Sequence, residues 1–157
     1  MVEKVFKKTV IMKSSKIISK LPYQEPFLYV KTIDKISDNS IKGSYTFKAS
    51  SWFYKGHFKN NPVTPGVILT ECAAQIGLAS FGFYLLSQQE DINLEQVKLA
   101  MTSTNVEFLK PVLPGDKVLV EAEKVYFRFN KLKVSVKMFD LSGDLVLRGE
   151  LAGVILP

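Results

Sequence analysis

"GVILTECAAQIGLASFGFYLL", Gly66 to Leu86, is the longest apolar run in the chain. It is as long as a membrane span. A carboxylate, Glu71, and an amide, Gln75, lie inside it, and no second run matches it. Its small residues, Cys72, Ala73, Ala74, Gly77, Ala79, Ser80 and Gly82, suit close packing by protein. Helices apolar on all sides are core helices. The run is therefore read as a buried helix from about Val67 to Gln88, without membrane insertion.

Such a helix must be surrounded, and the flanking segments read as strands. "FLYVKTIDKI" and "SIKGSYTFKA" are expected to pair through the polar turn Ser37-Asp38-Asn39. After the helix and the polar loop "QQEDINLEQ" come "VKLAMTSTNVEF", a break at Pro111, Pro114 and Gly115, and then "VLVEAEKVYFRF". In that last segment Val118, Val120 and Ala122 share one face, and Val125, Tyr126, Phe127 and Phe129 shift the phase. The slip predicts a bulge near Glu123 and Lys124. "KLKVSVKMF" alternates, with Leu132, Val134, Val136 and Met138 inward, and Ser142-Gly143-Asp144 turns into "LVLRGELAGVIL". "SSKIISKLP" is a short helix ended by Pro22. The pattern is α+β: two strands, one buried helix, about four strands. A strongly curved antiparallel sheet wrapped round the helix, a hot-dog fold, would bury it on all sides.

The bulk numbers fit one domain over residues 1–157. A chain of 157 residues buries roughly 70% of its unfolded surface, so no disulfide or metal is needed. One cysteine, Cys72, and one histidine, His57, exclude an internal disulfide and a zinc set. A reducing cytoplasm is the expected location. The N-terminus is basic but lacks the apolar core of a signal peptide. The net charge of +6 and pI of 9.3 point to an acidic partner. No basic-aromatic nucleic-acid module is present, and most lysines are spread along the chain.

His57 lies in "GHFKNNPVTPG", a loop just ahead of the apolar helix. Histidine accepts a proton near neutral pH. Glu71 sits about one turn into the helix, where burial should raise its pKa and let it hold a proton. Pro65 suits the first turn, and Gly66 permits close approach of a ligand to the backbone there. The N–H groups at Gly66 and Val67 end the helix with partial positive charge, fit for an oxyanion. Base, acid and oxyanion hole together suit proton abstraction alpha to a carbonyl, with loss of a beta hydroxyl. Trp52, Phe53, Tyr54 and Phe58 are expected to wall off an acyl chain. A plainer reading stays open: His57 as a loop residue, Glu71 as a buried acid bonded to Gln75 at i+4, and Cys72 as a small core residue.

The stretches "LPYQEPFL", "GHFKNNPVTPG", "ECAAQ" and "EFLKPVLPGD" resemble, in order and spacing, the hot-dog beta-hydroxyacyl-[acyl-carrier-protein] dehydratases of type II fatty acid synthesis. The similarity runs from about Leu21 to the C-terminus and leaves the first twenty residues uncovered. It implies that His57 takes the alpha proton and Glu71 protonates the leaving hydroxyl. Gly66 N–H would hold the thioester oxygen, and Gln75 would orient Glu71. It also implies a homodimer with shared sites, a further trimer of dimers, and a substrate on the phosphopantetheine of an acidic acyl carrier protein. No metal or other cofactor is implied. Relatives that also isomerise carry Asp at the Glu71 position, so dehydration alone is expected. Tyr23 and Gln24 replace the family's His-Arg, Lys59 replaces a Pro, and Thr64 a Met. These departures point to a specialised chain, such as a polyene, polyketide or pigment intermediate. The competing functions are a hot-dog thioesterase and a non-catalytic acyl-carrier-binding protein.

Overall fold

The computed structural model describes residues 14–156; the basic stretch with Lys4, Lys7 and Lys8 lies outside them. A short helix α1 (Ser14–Lys20) precedes strands β1 (Thr32–Ile36) and β2 (Ser40–Thr46). One turn of 3-10 helix (Trp52–Lys55) leads to the long helix α2 (Gly66–Ser87), then β3 (Lys98–Phe108), β4 (Lys117–Arg128), β5 (Lys131–Asp140) and β6 (Leu145–Leu156). The six strands form one antiparallel sheet in the order β1-β2-β4-β5-β6-β3. The sheet covers α2, giving the expected hot-dog arrangement.

Small residues let the helix sit close on the sheet. A Cβ added at Gly77 would lie 3.0 Å from the Ala122 Cβ, and one at Gly82 would overlap the Ile155 side chain. Ile76, Phe81 and Leu86 on α2 are fully buried, as are Leu132, Val134 and Met138 on β5. Each such aliphatic or aromatic side chain contributes about 1.5–3 kcal/mol. The helix is long and apolar enough to cross a membrane, but 83% of its most apolar window is covered by the rest of the fold. Its middle, Gln75–Ser80, is π-helical, and the Ser80 hydroxyl donates to the Gln75 carbonyl at 2.7 Å.

Two local expectations are corrected, the start of the first strand and the place of Phe129. The first strand begins at Thr32, not Phe27, because Phe27 to Tyr29 bond to side chains of α2 instead of a neighbouring strand. The expected β4 bulge is present, at Val125 next to Lys124, between the pairs Lys124–Val134 and Tyr126–Lys133. Val125 is pushed outward and half exposed. Phe129, expected within the strand segment, lies beyond β4: it and Asn130 take positive φ (50° and 59°) in the hairpin turn, and Phe129 is 96% exposed. Two successive positive φ values are what a tight hairpin turn requires. Strand β3 ends the sheet, so its outer edge is unpaired among the described residues, and most of its own residues are exposed. An open edge of this kind is a template for another strand.

Candidate active site

His57 is held by its own loop. Its N–H donates to the Phe53 carbonyl and its carbonyl accepts from Val63 N–H, both at 3.0 Å. Its Nδ1 lies 2.8 Å from the Val63 carbonyl oxygen. A carbonyl only accepts, so Nδ1 carries the hydrogen and, in the neutral ring, Nε2 keeps its lone pair. The ring stacks on Phe58 at 4.0 Å between centroids. Of the aromatics expected to wall a chain, Trp52 and Phe58 are exposed. Phe53 and Tyr54 are buried and build the loop. The Tyr54 hydroxyl and Thr64 Oγ1 are hydrogen-bonded at 2.6 Å.

That bond and the Thr64 N–H to Val112 carbonyl bond (2.8 Å) fix the start of α2. Pro65 caps it; its carbonyl accepts from Ile68 and Leu69 N–H. The N–H groups of Gly66 and Val67 have no acceptor among the described residues. They are the orphan donors of a helix terminus, where the dipole favours negative charge. The Phe108 ring packs against Gly66, where a Cβ would stand 3.1 Å from Cζ. Val67 is largely exposed beside it.

Glu71 is half-buried rather than enclosed, so its burial is less than the sequence suggests. It lines a cleft of about 120 Å³ with Tyr23, Leu78, Met101 and Ile155 among its other walls. Gln75, fully buried one turn on, donates from Nε2 to Glu71 Oε1 (2.9 Å) and to the Phe27 carbonyl (3.0 Å). Its Oε1 accepts from Tyr29 N–H at 2.8 Å. Every polar atom of that amide is used, so Glu71 is oriented by a side chain that is itself locked. Cys72 does not line that cleft and donates to the Tyr29 carbonyl at 3.4 Å. Burial, and then the Glu71 charge, push its thiol well above the usual range, which suits a packing role.

The loop thus offers a base, the helix start two N–H donors, and the helix a carboxyl. Within one chain, however, no hydrogen bond or ion pair joins His57 to Glu71 among the described residues, and His57 does not line the Glu71 cleft. The same residues pair with other groups, and the base and the acid face different surroundings.

The FabA-like domain profile matches residues 21–149. The chain belongs to the FabA-like domain family. It is 33% identical over 141 residues to a 3-hydroxyacyl-[acyl-carrier-protein] dehydratase FabZ of Geotalea uraniireducens, covering 89% of this chain and 94% of that one. It is 32% identical over 137 residues to a bifunctional enzyme LpxC/FabZ of Chlorobaculum tepidum, covering 87% of this chain but only 28% of that longer protein. The dehydratase heterocomplex ApeI:P from Xenorhabdus doucetiae superposes with a TM-score of 0.70 over 90% of each chain, at 13% identity. A Haemophilus influenzae thioesterase superposes with 0.56 over 80% of this chain and 77% of that one, at 16% identity. At such identities these two show the hot-dog fold and no more.

Sequence reasoning singled out His57, Gly66, Glu71 and Gln75, but not what holds them. The Val63 carbonyl gives no sequence signal, because any residue supplies one. Tyr23 drew notice only as a departure, with nothing to place it in the Glu71 cleft.

Proposed function

We propose that this chain is a dehydratase that converts beta-hydroxyacyl thioesters on acyl carrier protein to trans-2-enoyl thioesters. The observation that carries this reading is the His57 Nδ1 bond to the Val63 carbonyl, which leaves Nε2 as the base. Nε2 takes the alpha proton, and the electron pair moves toward the thioester oxygen, where Gly66 and Val67 N–H receive the developing negative charge. The pair then returns to form the alpha–beta double bond as the beta C–O bond breaks. Glu71, steadied by Gln75, gives its proton to the departing hydroxyl, which leaves as water. The imidazolium proton and the Glu71 carboxylate are reset through solvent, so the balance is loss of one water.

Because His57 and Glu71 share neither a bond nor a cleft among the described residues of one chain, we infer that the base of one subunit works with the acid of a second. The open β3 edge supports a homodimer, and a dimer and a trimer of dimers are the two assemblies compatible with it. The substrate arrives on a phosphopantetheine arm, with no metal or redox group in the reaction. The net charge of +6 suits an acidic carrier, in the cytoplasm, for fatty acid or related polyene, polyketide or pigment synthesis.

The test is mass spectrometry of carrier-bound beta-hydroxyacyl groups after incubation with the purified protein. Loss of one water to a trans-2 product is expected. Release of free acid would assign a thioesterase instead, and an unchanged substrate would leave only a binding role. A cis-3 product would refute dehydration without isomerisation.

A further inference from the structure

The cleft beside Glu71 is apolar along Leu78, Leu99, Met101 and Ile155. Among the described residues that line it, only Glu71 and Tyr23 carry polar side chains. Glu71 Oε1 is taken by Gln75. The Tyr23 ring packs on the core, while its hydroxyl makes no hydrogen bond to any described residue. A polar substrate atom entering such a cleft loses its water and must find a partner there. A site built to hydrogen-bond a hydroxyl rejects the analogue that lacks one.

Resting on the dehydratase reading, we propose that the Tyr23 hydroxyl donates a hydrogen bond to the beta oxygen of the bound substrate. It thereby makes this cleft select beta-hydroxyacyl groups over saturated ones. Tyr23 is well placed to remain a donor. Burial first, and then the neighbouring Glu71 charge, push its phenol up to about 12, so it keeps its proton through the working range. The beta oxygen would then meet two groups: the Glu71 carboxyl, which delivers the proton, and the phenol, which holds the oxygen for it.

The experiment uses His57→Ala protein, which cannot take the alpha proton, so the ligand survives. Affinities are measured for a beta-hydroxyacyl pantetheine thioester and its saturated counterpart of equal length, with and without Tyr23→Phe. The phenylalanine variant should lower the preference for the hydroxyacyl ligand about 3- to 10-fold and leave the saturated ligand unaffected. An unchanged preference, or equal weakening of both ligands, overturns the proposal and leaves Tyr23 a packing residue. If Tyr23→Phe does not fold, 3-fluorotyrosine at position 23, a stronger donor of nearly the same shape, replaces it: an increased preference supports the proposal and an unchanged one overturns it. Water loss by the unaltered chain is scored separately, so failure of the dehydratase reading is told apart from failure of this one.

Discussion

Replacing Gln75 by leucine should damage both the fold and the site. The side chain is fully buried, and its amide makes three bonds: from Tyr29 N–H, to the Phe27 carbonyl and to Glu71. Leucine fills similar space but returns none of them. Tyr29 N–H is left buried without an acceptor, and the Phe27 carbonyl loses its donor. A buried group stranded in this way costs about 1–3 kcal/mol, so the pair should cost about 2–4 kcal/mol, the half-exposed Phe27 recovering part of its share from water. With a urea slope of about 1–3 kcal/mol per molar, the unfolding midpoint should fall by about 1–2 M, as followed by circular dichroism. Glu71 also loses the donor that orients it, and misplacement on this scale should lower kcat about 100-fold. An unchanged midpoint would refute the claim that Gln75 fastens residues 27–29 to the helix. An unchanged kcat would refute its role in orienting Glu71.

Gly66→Val puts a branched side chain against the Phe108 ring and over the orphan N–H donors; kcat should fall about 10²- to 10³-fold in steady-state assays, the loss expected for one oxyanion donor. Cys72 should resist alkylation in the native protein at neutral pH and react on unfolding, as intact-mass measurement would show; fast native labelling would refute its burial. Burial raises Tyr23 and Tyr45 from 10.0 to about 12, so the folded state holds their protons longer than the unfolded chain does. Their contribution to stability is therefore complete below about pH 10 and is lost as pH rises toward 12; urea midpoints across that range should fall, and less steeply in Tyr45→Phe.

The central helix was legible because an apolar run from Gly66 to Leu86, with Glu71 and Gln75 inside it and small residues throughout, fits a helix packed by protein better than a membrane span. The inward face of β5 was equally plain, since Leu132, Val134, Val136 and Met138 alternate without interruption. Phe27 to Tyr29 misled because an apolar run looks the same whether its backbone pairs with a strand or with the side chains of Gln75 and Cys72. Phe129 misled for a related reason: the backbone of a two-residue turn sets its φ, and its apolar side chain gives no sign of that. At the site, side-chain types were readable and their partners were not. The contact from Glu71 to Gln75 is local, four residues along one helix, and could be expected. The Val63 carbonyl on His57 and the place of Tyr23 beside Glu71 depend on how the loops close over the fold.

The most direct test of the shared two-residue mechanism is to mix two inactive proteins, His57→Ala and Glu71→Gln, allow subunits to exchange, and measure water loss from a carrier-bound beta-hydroxyacyl substrate. In a mixed dimer one site would hold both intact residues and the other neither. Random exchange should then restore about a quarter of the unaltered activity. No recovery, in a mixture shown to contain mixed dimers, would contradict a base and an acid drawn from different subunits.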